Sequence, residues 1–505
     1  WNSNAYGGRD YDVLRFGSVI SAKPNITYFF NNHDLVMQGV RKFTFSDSQN
    51  VVSIPKDQVL TIKKNKNLQF SGLIRAGRID FYSKDFNFNY TNFQLDNTTI
   101  DSMVIYYPDV NTNTLRKVES VLSNTYGRIL IDKPNNKSGL KDYPEYPIFI
   151  AERGSEINYD RAATHNHAYK ADRFKFEIDP FTIDSLDNFT IAGFGFGGTL
   201  KSDGIFPDIE NVARIQPDYS LGFVDHVNLP MYGGKGTGDL TINLSNRGFY
   251  GTGDLLYETS VSKSTEYLLL PDATIGNSFS FVLPESAKYP KVDGHNVRTE
   301  WFPKQDRMFQ TKLDSNFKVF QMGYDFDGKL TLSPQDLRGD GQLIWNEAIF
   351  ASDEMIFGRN KSAAKQSSIK IFAVDPSKFA FECNNVNGVV DFDKKEGKFL
   401  TNVVGAYTHF PFNHYSSNMN DYRWDMVKKT MEIKPGPAMG SLKPIFVGLP
   451  PNTQDSVKFE CHYAKFDLVS NVLFMEKIPY IDVADSRVYP FEGKAIVREN
   501  ATKMV

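Results

Sequence analysis

The chain has 505 residues, with 57 Lys and Arg against 60 Asp and Glu. That balance leaves no basic stripe for neutralising nucleic-acid phosphates and no basic cluster for an acidic membrane surface. No run reaches the roughly 18 apolar residues that cross a bilayer as a helix. With 41 Phe and 25 Tyr but 4 Trp, the composition favours half-buried pleated surface, and so sheet over helix. A hydrophobic share of 41% with 23% charged describes a folded chain. At this length two to four units are expected. The start, WNSNAYGGRDYD, carries neither an initiating Met nor a signal-peptide pattern, so a fragment of a longer chain is expected.

Residues 43–107 read as a dense series of short strands: FTF, VVSI, VLTI, LQFSGLI, RIDFY, FNFNY, FQL and MVIYY. Turn formers such as SDSQN, PKD, KKNKN, AG, SKD and DNTT separate them. Phe81, Phe86, Phe88, Tyr90 and Phe93 suggest period-two alternation, with a slip before Phe93. Leu115, Val118 and Leu122 then recur at helical spacing, and the pattern predicts a short helix over 114–123 with Asn113 as its cap. The loop-like IDKPNNKSGLKDYPEYP precedes a soft boundary near 150–170. Strand patterning resumes at Phe174 and continues to the end. A second helix is expected over part of 422–431, on Trp424, Met426 and Met431, and a break in the proline-rich 434–451.

An internal echo is the most informative feature. GDLTINLSNRGFYGTGDLLY (238–257) resembles GKLTLSPQDLRGDGQLIW (328–345). Leu244, Ser245, Gly251, Gly253 and Leu255 recur 88 positions later as Leu332, Ser333, Gly339, Gly341 and Leu343, and Tyr257 recurs as Trp345. The reading is strand, turn, strand, with Gly-x-Gly where a Cβ would clash. No helix follows whose N-terminus would hold a phosphate. A unit of this length holds several strands that bury their faces against neighbours. The expected fold class is all-β, an elongated repeat architecture (β-solenoid or open β-groove), with tandem β-sandwiches as the alternative. Four segments follow: 1–150, a β array with the short helix; 151–322, a unit with the first repeat; 323–440, a unit with the second; 441–505, strands continuing the array.

Candidate chemistry is sparse. His165 and His167 lie two apart, as a metal pair on a strand would, but no nearby residue in sequence completes a site. His409 and His414 are five apart across a proline, which suits neither period. Asp325 with Asp327, and Asp391 with Asp393, form D-F-D pairs without the closing Glu of an EF-hand loop. They read as strands with Phe inward and Asp outward. Cys383 and Cys461 sit in apolar strands and read as buried free thiols, with a disulfide as the alternative. There is no G-x-S-x-G elbow and no P-loop, and no carboxylate pair stands out among 60 acids. Eight N-x-S/T sequons, among them Asn25 and Asn188, are what an Asn-, Ser- and Thr-rich chain yields by chance. No catalytic, cofactor-binding or metal residue is assigned, and no cofactor is expected.

Several stretches together resemble the very large, repetitive, β-rich cell-envelope proteins of Bacteroidota. They are SDSQNVVSIP (46–55), GRILIDKPNNKSG (127–139), FEIDPFTIDSLDNF (176–189), PDYSLGF (217–223), MYGGKGTGDL (231–240), the two LS…G-x-G units and IPYIDVADSRVYPFEGKAIVREN (478–500). The resemblance implies a bacterial, extracytoplasmic β-protein, periplasmic or outer-membrane associated, and carries over no catalytic residue. The second repeat departs from the pattern, with Asp336 where the first has Gly248, so its turn is expected to differ. The function expected is a non-catalytic structural or lipid-conduit segment of an envelope protein. Its partners would be other segments of the same long chain, lipid or envelope proteins, and not nucleic acid. The alternative is a surface adhesin or glycan-binding module using Tyr106, Tyr107, Trp301 and Trp424. A β-helix polysaccharide lyase or hydrolase is the least favoured reading.

Overall fold

The computed structural model describes residues 25–46, 49–108, 114–189, 194–320, 323–448 and 456–499. It is all-β: strand follows strand, and the helical elements among the described residues are 3-10 turns of three residues. The described residues group into two compact units, one drawn from within 1–234, 240–251 and 268–271, the other from within 235–239, 252–267 and 272–505.

Neither expected helix forms. Residues 115–117 are a strand paired with the end of Gln94–Pro108, and Leu122–Leu130 is another strand. The N–H of Val118 bonds the carbonyl of Ile105 at 2.8 Å. A ten-residue helix is marginal alone, and a waiting sheet edge outcompetes it. Asn113, its expected cap, lies outside the described residues. Residues 422–431 are likewise two strands, Asp421–Asp425 and Thr430–Lys434, joined by a turn. Tyr422, Trp424, Met431 and Ile433 are buried at period two.

The strands pair antiparallel, and the longest of them are bent. In the C-terminal unit, Ala348–Gly358, Lys361–Phe372 and Phe379–Asp391 pair in series, with the ladder interrupted near the middle of each strand: the first two keep one register on either side of an unpaired stretch, and the last two shift register. One half of each strand joins one wall of the sheet and the other half a second wall. After Asp391 the halves separate. Glu396–Thr401, Asp421–Asp425, Thr430–Lys434, Tyr463–Asp467, Val472–Glu476 and Ala495–Val497 pair in series as the first wall. Thr408–Phe410, Tyr415–Ser417, Ile445–Gly448, Val457–Glu460, Ile481–Val483 and Ser486–Val488 form the second. The result is one antiparallel meander folded lengthwise, nearer to a groove than to a coil-by-coil solenoid.

The trough between the walls is filled. Phe381 meets Tyr422 at 5.2 Å between ring centroids, Phe410 meets Phe466 at 5.7 Å, and Phe350 meets Phe399 at 6.3 Å, each pair spanning the walls. All six side chains are buried. Offset and edge-on ring pairs of this kind add to the stabilisation from buried area. A chain of hydrogen bonds also runs through the interior, from Tyr267 to Ser278 (3.0 Å), Thr299 (2.6 Å), Gln310 (2.9 Å) and Ser262 (3.2 Å). The N-terminal unit is built alike: Phe81 and Phe149, from opposite walls, stand 4.8 Å apart.

The echo is structural, and it has a third copy. Gly253 and Gly341 occupy matching mid-strand positions with φ of +136° and +152°, and Gly72 in Leu68–Ala76 adopts +135°. A Cβ on Gly341 would lie 2.2 Å from the carbonyl oxygen of Asp327. In the following strand of each copy the fifth residue is a serine: Ser83, Ser264 and Ser352. Each hydroxyl donates to a carbonyl of the next strand (Thr99, Asn277 and Gln366, at 2.7, 2.7 and 2.6 Å). Each also accepts an N–H at 3.1 Å from an acidic residue two places on: Asp85, Glu266 and Glu354. Two strands later stand Asn124, Asn296 and Asn385, with φ of +57°, +49° and +53°. These positions form the crease. The expected turn SKD is therefore a bulge inside one strand, Ile79–Asn89, and the expected DNTT turn lies inside Gln94–Pro108. As foreseen for Asp336, the second turn differs. Gly248 sits at φ +130°, whereas Asp336 has a negative φ and is tied to Ser333.

Candidate functional site

The sequence-selected residues fall into separate places. His165 and His167 lie in an exposed turn in which His165, Asn166 and His167 all have positive φ. His165 Nε2 is 3.0 Å from the Tyr250 hydroxyl, and His167 Nδ1 is 2.6 Å from Asp160. The same turn is clamped by Thr164, whose hydroxyl donates to the carbonyl of Asn246 at 2.6 Å. Asp160 is held below the usual carboxylate range, chiefly by His167. His409 faces Ser416 across a hairpin at 2.9 Å, and His414 is the left-handed residue that closes that hairpin's turn.

In both D-F-D pairs the phenylalanine, Phe326 or Phe392, is buried and the acids point outward. Asp325 meets Lys318, Asp327 meets Lys312, and Asp393 accepts from Asn360 at 2.7 Å. Among the described residues, no three His, Cys, Asp or Glu side chains gather as a metal site would require. Cys383 and Cys461 are free, buried thiols. Burial pushes both up to about 11; Cys383 stands 3.0 Å from the Thr408 hydroxyl, and Cys461 donates to the carbonyl of Tyr463 at 3.1 Å.

Of the four aromatic residues considered for sugar stacking, Tyr107, Trp301 and Trp424 are buried and present no ring face. Tyr106 is half-buried, and its hydroxyl donates to Asp80 at 3.2 Å. Asp80, itself buried, is held by the Arg75 guanidinium at 2.6 and 2.7 Å. Desolvation, with Asp80 adding to it, raises the Tyr106 phenol. This trio ties neighbouring strands and leaves no open acid for chemistry.

The feature that sequence reading missed is a cleft of 680 Å³ at one rim of the N-terminal unit. The turns at 30–33 and 63–67 and the end of Ile79–Asn89 bound it, over a floor of Leu68 and Phe88. Its one carboxylate, Asp34, is nearly buried and is taken by Lys63 at 2.9 Å and Asn32 at 2.8 Å. Lys64, Asn65, Asn67, Gln69 and Asn87 supply the rest of the polar lining, and Gln69 Nε2 donates to Asp85 at 3.1 Å. KKNKN reads in sequence as turn chemistry, which it also is. Only the fold brings it opposite Asn32 and Asn87.

A scan against protein-family models finds no match for the chain, and a search of curated proteins finds none either.

Proposed function

We propose that this chain is a non-catalytic structural segment of a large bacterial cell-envelope protein, located outside the cytoplasm. The filled trough carries the reading: rings from opposite walls occupy the space where an acyl chain would lie. This favours scaffold over lipid conduit, since a conduit needs unoccupied apolar volume. The repeated crease gives a length of sheet that extends strand by strand, as repeat proteins do. The resemblance to envelope proteins of Bacteroidota supports the location, and makes other segments of the same chain and envelope proteins the natural partners. Mass spectrometry of an organic extract of the purified protein tests the choice. The scaffold reading expects no more lipid than a control protein yields, and stoichiometric lipid would replace it with the conduit.

A further inference from the structure

The rim cleft of the N-terminal unit uses its asparagines in one sense. Asn32 Oδ1 accepts the backbone N–H of Asp34 at 3.1 Å, Asn65 Oδ1 that of Asn67 at 3.1 Å, and Asn67 Oδ1 that of Tyr90 at 3.0 Å. Each amide therefore commits its acceptor to a turn and keeps its NH₂ group. The NH₂ of Asn32 goes to Asp34, whereas those of Asn65 and Asn67 have no partner among the described residues. Lys64 lines the same cleft without a carboxylate partner, because Asp34 is already neutralised by Lys63. The cleft is thus rich in donors, holds one uncompensated ammonium, and at 680 Å³ lies in the size range of ligand clefts, about 300–1,000 Å³.

We propose that this cleft binds an anionic saccharide, a uronic-acid-bearing oligosaccharide. Hydroxyl and ring oxygens would accept from Asn65, Asn67 and Asn87, and a single carboxylate would pair with Lys64. One point charge among neutral amides matches a ligand with one negative charge per sugar and many acceptors. A phosphate carries more charge on one centre than the single Lys64 ammonium would balance, and such groups ordinarily gather several cations or converging backbone N–H groups. The proposal stands apart from the scaffold reading, since a structural segment can carry a glycan contact on its rim.

The test is calorimetric titration of the whole chain with trigalacturonate, with maltotriose as the neutral control. The double variant Asn65→Asp/Asn67→Asp keeps the oxygens that hold the turns but replaces both outward donors with acceptors. Lys64→Glu inverts the ammonium on an exposed side chain. Saturable binding of trigalacturonate is expected, weakened about tenfold or more in either variant and at least as much for maltotriose, as loss of a charge-assisted hydrogen bond implies. No saturable binding, equal binding by the variants, or equal binding of maltotriose would each overturn the proposal. Unchanged unfolding midpoints show that the variants remain folded.

Discussion

Two stretches of the C-terminal unit build the same two walls by different means. In Ala348–Gly358, Lys361–Phe372 and Phe379–Asp391, one continuous strand crosses from wall to wall. It turns the corner on a positive-φ residue or a serine bulge. Beyond Asp391, every strand belongs to one wall, and a short link makes the crossing. There, side chains supply the missing ladder bonds. Asn418 Oδ1 accepts the N–H of Ile445 and Asn420 Oδ1 that of Gly436, each at 2.6 Å, and both asparagines are buried. The fold thus requires a crease with satisfied backbone groups and not one particular crease chemistry.

The contrast can be broken hardest at Gly341. Gly341→Val puts a Cβ against the Asp327 backbone at a φ of +152°, and a loss of about 3 kcal/mol or more is expected from the lowered midpoint of denaturant unfolding. In the linked region Asn420→Ala leaves the Gly436 N–H buried without an acceptor, which costs about 2 kcal/mol in the same measurement. Asn385 sharpens the comparison. Its left-handed backbone makes Asn385→Ala unfavourable by about 1 kcal/mol, whereas Asn385→Gly is expected to be neutral.

The last effect appears only in alkali. Cys383 lies in a wall and Cys461 in a crossing, and burial lifts both from an ordinary 9.0 to about 11. Below pH 9 the thiols are protonated in folded and unfolded chains alike, and their contribution is complete. Between pH 9 and 11 the unfolded chain releases these protons while the folded chain keeps them, so stability falls as pH rises. Unfolding midpoints of the parent and the Cys383→Ala/Cys461→Ala variant, followed across that range, should separate by this slope.

Strands were legible because Phe and Tyr alternate with polar residues, and the 88-residue echo was legible because Leu, Ser and Gly recur in phase. The crease was written less openly. In Ile79–Asn89 the inward set is Ile79, Phe81 and Ser83, then Phe86 and Phe88. In Ala348–Gly358 it is Ala348, Phe350 and Ser352, then Met355 and Phe357. The parity slips by one because the bulge adds a residue. That slip is visible in sequence, but SKD looks like an ordinary turn and conceals it. The third copy escaped because Phe70 stands where the other two have the first glycine of Gly-x-Gly. The helix expected at 114–123 failed for want of a signal that a sheet edge lay close by. For the rim cleft, Asn32, Lys64 and Asn87 share no spacing that would have joined them.

The two walls pack against each other through a filled trough, and a double-mutant cycle on Phe410 and Phe466 tests this most directly. Phe410→Leu and Phe466→Leu, alone and together, should show a coupling of about 0.5–1.5 kcal/mol, as expected for an edge-on ring pair. A coupling indistinguishable from zero would contradict the packed trough and the structural reading built on it.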